Sequence, residues 1–192
     1  MSADYTQLPD DLPVPVDDGA ADAVAGKPLP DLTLPSTAPA ASSPSAAAYR
    51  LADAPPLLVA YVYPMTGTPG VPLPHGWDDI PGARGCTPQA CSYRDALAEF
   101  DRLDARVVGI SAQTPAEQAE FAAREHIPFP LLGDPDLRLA AALSLPTFEV
   151  EGRTLYRRLT FVAEGGEIVK TFYPVFPPDR DAATVLAWLA AR

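Results

Sequence analysis

Apolar residues run almost unbroken through PLLVAYVY, Pro56 to Tyr63, and again through RVVGIS, Arg106 to Ser111. Continuous runs of this length predict strands covered on both faces. Between them the spacing changes. Tyr93, Leu97, Phe100 and Leu103 are four, three and three positions apart, which predicts one face of a helix. That helix is expected to start near Thr87-Pro88, an N-cap followed by a first-turn proline. Thr114-Pro115-Ala116-Glu117 has capping-box spacing and predicts a second helix to about Glu125; a third is expected after Asp134-Pro135. TLYRRLTFVA and EIVKTFYPV, joined by Glu164-Gly165-Gly166, read as a hairpin. A final helix from about Asp179 turns Val185, Leu186 and Leu189 inward. The order β, α, β, α, α, β-hairpin, α predicts an α/β sandwich around a central sheet.

The beginning of the chain is different. Residues 1–27 are rich in Pro, Asp, Ala and Gly with little periodicity, which predicts an extended or disordered arm, leaving residues 28–192 as the compact domain. PDLTLPST, Pro30 to Thr37, alternates like a short strand, and APAASSPSAAA after it is a low-complexity loop.

Composition narrows the function classes. The chain has 192 residues, 47% of them hydrophobic, enough for a substantial core. Its 14 Lys plus Arg against 25 Asp plus Glu give a formal charge of −11, with no basic stripe to meet nucleic-acid phosphates. The acidic, proline-broken start lacks the basic and apolar regions of a signal peptide, and no run approaches the ~18 apolar residues of a membrane span. A cytoplasmic protein without nucleic-acid or membrane partners is the expectation. Two cysteines in a reducing compartment then leave metal binding, redox chemistry or simple burial.

Both cysteines lie in GARGCTPQACSYRD, Cys86 and Cys91 five positions apart. Cys86 falls at the predicted helix start, where unpaired N–H groups and the dipole favour an anion. A free thiol has a pKa of ~8.5, whereas thiols at helix N-termini or beside cations range down to ~3.5. Each unit of depression needs ~1.4 kcal/mol, more than a dipole's usual ~0.3–1, so a cation is expected nearby. Arg84, Arg94, Arg157 and Arg158 are the candidates, and strand alternation sends Arg157 and Arg158 to opposite faces. In one regular helix, five residues separate two Cα atoms by ~7.5 Å along the axis, beyond the ~7 Å limit for a disulfide. A Cys86–Cys91 bond therefore requires the first turn to unwind. A metal site would need more ligands, and His75 and His126 have no zinc-type spacing.

VAYVYPMTGTPG, GCTPQACSYRDAL, VVGIS, PFPLLGDPD and RRLTFVAEGGEIV, in this order, resemble the peroxiredoxins of the bacterioferritin-comigratory or PrxQ type. The resemblance runs from about Gly26 to the C-terminus. It implies a thioredoxin-like fold with a central mixed sheet, and a thiol-dependent peroxidase of the atypical two-cysteine class. Cys86 would be the peroxidatic cysteine and Cys91 the resolving one. Pro64 and Thr68 match the start of the family's PxxxTPGCT segment, and Arg158 the arginine of its R-apolar-S/T-F strand. The chain departs from the pattern in one place: residues 71–85 are inserted between Thr68-Pro69-Gly70 and Cys86. Thr68 reaches the site only if this insertion loops out, and Trp77 within it is a candidate lid over the pocket.

The implied cycle has Cys86 attacking hydrogen peroxide or an organic hydroperoxide, with Arg158, helix N–H groups and Thr68 stabilising the leaving oxygen. The sulfenic acid then condenses with Cys91, and thioredoxin or a similar dithiol restores both thiols. No cofactor or metal is needed, and an intramolecular resolving cysteine is compatible with a monomer. Two other functions fit parts of the sequence. Leu145-Pro146-Thr147 resembles the cis-proline segment of a thioredoxin-fold disulfide reductase or carrier, although no CxxC is present. The proline-rich arm and insertion would also suit a noncatalytic binding module.

Overall fold

The structure, a computed structural model, describes residues 8–9, 11–37 and 48–192. Strands β1 (Thr33–Pro35) and β2 (Ala48–Arg50) pair antiparallel as a small outlying sheet. Most of APAASSPSAAA and residues 1–7 and 10 of the arm lie outside the described residues. The central sheet is built from β3 (Leu57–Val62), β4 (Arg106–Ser111), β5 (Leu131–Gly133), β8 (Leu159–Glu164) and β9 (Glu167–Phe172), in the order β5-β4-β3-β8-β9. β3, β4 and β5 run parallel, while β8 is antiparallel to both β3 and β9, so the sheet is mixed. A separate ribbon, β6 (Thr147–Val150) with β7 (Arg153–Tyr156), precedes β8.

The apolar run of β3 serves two cores. Leu58, Ala60 and Val62 enter one cluster, whereas Val59, Tyr61 and Tyr63 enter a second on the other face. This is the physical reason the run shows no polar alternation. The second cluster also holds Cys86, Ala90 and Tyr93 from α1 (Cys86–Asp95), and Ala182, Val185 and Leu189 from α5 (Asp181–Ala190). Tyr61 stacks on both Tyr63 and Tyr93, with ring centroids 5.4 and 4.6 Å apart, and so locks α1 onto the sheet. Gly109 makes the stack possible, because a Cβ there would lie 2.6 Å from the Tyr61 ring.

Several expectations change in detail. The helix containing the cysteines starts at Cys86, one residue before Thr87, because Gly85 takes the N-cap position at φ 100°. Pro88 then falls inside the first turn, where its missing N–H has no helical partner to lose. The helix also does not continue to Leu103. It ends at Ala96, and a second short helix, α2 (Leu97–Arg102), keeps Phe100 stacked on Tyr93 while Leu103 is exposed. The helix α3 (Pro115–Arg124) has the complete capping box, with the Glu117 N–H donating to Thr114 Oγ1 and the Glu117 carboxylate accepting from the Thr114 N–H. In α4 (Arg138–Leu143), Asp134 accepts from the N–H groups of Arg138 and Leu139.

The segment TLYRRLTFVA is not one strand. Its first part pairs with β6 and its second with β3 and β9, and Arg157 and Arg158 lie in the link between them. Residues 20–26 form successive turns, with Ala21 and Val24 buried, and the segment is tied to β9 through the Gly26 N–H donating to the Ile168 carbonyl. Among the described residues no helix is long and apolar enough to cross a membrane.

Candidate active site

Three chain segments meet at the C-terminal end of β3. The first is the start of α1, carried there by the crossover from β3 to β4. The second is the beginning of β8: Val62 pairs with Leu159, so Arg158 arrives beside the end of β3 although it is 72 positions from Cys86. The third is the insertion, which passes from Trp77 and Ala83 in one core to Cys86 in the other.

Arg158 is only 3% exposed, and its donors reach the other two segments, the insertion and the start of α1. Nη2 lies 3.1 Å from Cys86 Sγ and donates to the carbonyls of Ala83 and Arg84, both at 3.1 Å. Nε donates to the Gly82 carbonyl at 3.2 Å, and Nη1 to Gln89 Oε1. Three carbonyls and an amide oxygen thus fix the planar fork, which a lysine could not match. Cys86 itself is 4% exposed, with Sγ 3.6 Å from the Ala83 carbonyl.

Behind this layer lies a buried carboxyl. Asp181 Oδ2 accepts from Gln89 Nε2 and Thr160 Oγ1, each at 2.7 Å, and from the Tyr93 hydroxyl at 2.9 Å. Burial pushes the Asp181 carboxyl above its ordinary range, against the pull of these hydrogen bonds and of Arg158. Burial likewise drives the Tyr93 phenol well above its usual value, with Asp181 adding in the same direction.

Gly85 is constrained twice. Its φ of 100° disfavours any side chain, and a Cβ would sit 2.7 Å from both Leu8 Cδ2 and Pro178 Cγ. Any other residue at this entry to the helix carries both backbone strain and close contacts.

Cys91 lies in the second turn of α1, half-buried, with Sγ 4.0 Å from Glu125 Oε2. Burial raises its thiol pKa; Arg94 opposes this, while Glu125 and Asp95 reinforce it. Both cysteines are free thiols.

Of the other residues singled out from the sequence, Pro64 is buried at the end of β3, and its carbonyl accepts from Ser111 Oγ at 3.1 Å. Thr68 is not brought to Cys86: it is exposed, and its carbonyl accepts from the Val71 N–H in the turn that begins the insertion. Arg94 neighbours Cys91 instead of Cys86, and Arg84 pairs with Asp78 at 3.2 Å. Arg157 donates to the Thr147 carbonyl at 3.3 Å. The cis peptide bonds of the described residues are Tyr173–Pro174 and Phe176–Pro177, not Leu145–Pro146. Gln89, Asp181 and Thr160 were not singled out from the sequence. Gln89 and Tyr93 are one helical turn apart, a cue to a shared face, but their link to Asp181 spans about ninety positions and has no local signal.

Beside Cys86 opens a narrow pocket of about 10 Å³, lined in part by Met65, Leu73, Trp77 and Thr87. A nearly buried thiol held by a fixed guanidinium at a helix start, and facing a pocket that admits about one water molecule, suits attack on a small electrophile. The Redoxin family model matches residues 24–186. The chain belongs to the peroxiredoxins.

A putative peroxiredoxin of Mycobacterium tuberculosis is 35% identical over 122 residues, 62% of this chain and 68% of that protein. The chloroplastic peroxiredoxin Q of Populus jackii is 33% identical over 116 residues, 60% of this chain and 46% of its own length. Among solved structures, Xanthomonas campestris peroxiredoxin Q superposes with a TM-score of 0.66 at 28% identity, covering 89% of this chain and 98% of that one. The mixed sheet flanked by helices is the thioredoxin-like fold of these peroxiredoxins, whose activity is thiol-dependent peroxide reduction.

Proposed function

We propose that Cys86 is the peroxidatic cysteine and Cys91 the resolving cysteine of an atypical two-cysteine cycle. The observation that carries this reading is the 3.1 Å contact from Arg158 Nη2 to Cys86 Sγ at the first residue of α1. A guanidinium there is in place to meet negative charge as it moves from sulfur onto oxygen.

The Cys86 thiolate attacks one peroxide oxygen in line with the O–O bond. An S–O bond forms, the O–O bond breaks, and the leaving oxygen departs with the bonding pair as alkoxide or hydroxide. It takes up a proton to become alcohol or water. The sulfur has lost two electrons and is a sulfenic acid. Arg158 and the free N–H groups of the α1 start stabilise the charge during this displacement. Pro64 shapes the chain beside the site, and an exposed Thr68 has no part in the step.

Resolution requires movement. The first turn of α1 unwinds, and the Cys91 sulfur attacks the Cys86 sulfenic acid, forming the disulfide and releasing water. The raised Cys91 pKa keeps that thiol protonated in the folded helix. A dithiol such as thioredoxin then takes up the oxidising equivalents and becomes a disulfide itself, with the chain acting as a cytoplasmic monomer. Stopped-flow mixing of the reduced protein with hydrogen peroxide tests the first step. Oxidation of Cys86 is expected to be orders of magnitude faster than that of a free thiol; a rate equal to a free thiol's rejects the assignment.

A further inference from the structure

The insertion forms part of the wall through which a peroxide must reach Cys86. Leu73, Trp77 and Ala83 from this segment line the pocket, and Met65 from the loop after β3 lines it too. The wall is held rigidly. Trp77 is 4% exposed, and its ring packs against Phe148 with centroids 6.1 Å apart. The His75 N–H donates to Glu151 Oε1 at 3.0 Å, and Arg84 pairs with Asp78 across the segment. At its far end the carbonyls of Gly82, Ala83 and Arg84 hold Arg158. Moving this wall away from the pocket would also disturb the guanidinium that contacts Cys86.

Size follows from this arrangement. The pocket, about 10 Å³, is near the smallest space that admits one water molecule. Hydrogen peroxide adds a single oxygen to the one under attack. In a hydroperoxide, a carbon substituent extends beyond the leaving oxygen, which in-line attack directs away from sulfur. A tertiary or aromatic substituent there meets Leu73 and the fixed indole of Trp77.

We propose that the insertion makes this a small-peroxide site, which accepts hydrogen peroxide and short primary hydroperoxides and rejects bulky tertiary and aromatic ones, with Leu73 and Trp77 as the specificity-determining side chains. The proposal rests on Cys86 being the attacking thiol. Leu73 is half-buried whereas Trp77 is buried in the core, so Leu73 is the position to enlarge first.

The test is the second-order rate constant of Cys86 oxidation by hydrogen peroxide, ethyl hydroperoxide, tert-butyl hydroperoxide and cumene hydroperoxide, each divided by the rate of a free thiol with the same oxidant. These normalised rates are expected to fall stepwise with substituent size, by about 10- to 200-fold from the first to the last. The Leu73→Ala variant is expected to raise the ratio of the cumene to the hydrogen peroxide rate about tenfold or more, and Leu73→Trp to lower it. Equal normalised rates in the wild type overturn the size filter while leaving the peroxidase assignment standing. A graded wild type whose ratio is unmoved by either Leu73 variant overturns the role given to the insertion. Slow oxidation by hydrogen peroxide itself rejects the assignment of Cys86 and the filter with it. Because the wild-type series needs no substitution, a variant that fails to fold does not spare the proposal.

Discussion

Gln89 donates its amide N–H to Asp181 Oδ2 at 2.7 Å and thereby turns its amide oxygen toward Arg158. The buried carboxyl sets the polarity of an amide that touches the active-site guanidinium. Asp181 accepts three hydrogen bonds and offers Gln89 no alternative orientation, since a flipped amide would face the carboxyl with its oxygen.

This carboxyl gives a pH signature. Burial raises the folded-state pKa of Asp181 above the unfolded value of about 3.9. Over that interval the folded chain holds a proton that the unfolded chain has released, so this group's contribution to stability falls as pH rises through the folded pKa and is constant above it. Urea unfolding of wild type and Asp181→Asn across pH 4 to 8 isolates it. The wild-type stability is expected to decline with pH relative to the variant, and parallel curves would remove Asp181 as the cause.

Arg158→Lys keeps a positive charge but loses the fork that spans Cys86, Gln89 and three carbonyls. Cys86 oxidation by hydrogen peroxide is expected to slow about 100- to 1000-fold, the usual loss when a preplaced donor to a developing oxyanion is removed. A stopped-flow rate within threefold of wild type would show that charge alone suffices.

Gly85→Ala is expected to destabilise the fold by about 1–3 kcal/mol, from a left-handed backbone position and close contacts on two sides. Leu8→Ala in the same chain relieves the contact with Leu8 but neither the one with Pro178 nor the backbone strain. Denaturant midpoints should therefore recover only in part, and full recovery would place the whole cost in the arm.

Cys91→Ser is expected to leave the first oxidation of Cys86 at its wild-type rate and to let the sulfenic acid proceed to the sulfinic acid with excess peroxide. Mass spectrometry after one equivalent of peroxide should show a Cys86–Cys91 disulfide in the wild type. Its absence would reject the resolving role while leaving the peroxidase chemistry of Cys86 intact.

The local rules were legible where the chemistry is local. The capping box of Thr114 and Glu117, the glycine hairpin at Gly165-Gly166 and the buried runs of β3 and β4 all follow from residues within a few positions of one another. The break at Ala96 was not legible, because no glycine or proline marks it; packing Phe100 on Tyr93 decides it. The reading of TLYRRLTFVA as one strand also failed, because Arg157 and Arg158 form the link between two sheets, although the two side chains do diverge, to Thr147 and to Cys86.

By itself the sequence determined the fold class, the thiol pair at a helix start, and the family, since each is carried by short motifs in order. The tertiary structure decided which arginine meets Cys86, that Thr68 stays outside, and that the insertion becomes both the cradle of Arg158 and the wall of the pocket. The reason is physical. Strand registry and close packing join residues from 72 to 107 positions apart, and the burial of a carboxyl or the closing of a pocket exists only once those distant segments share one space.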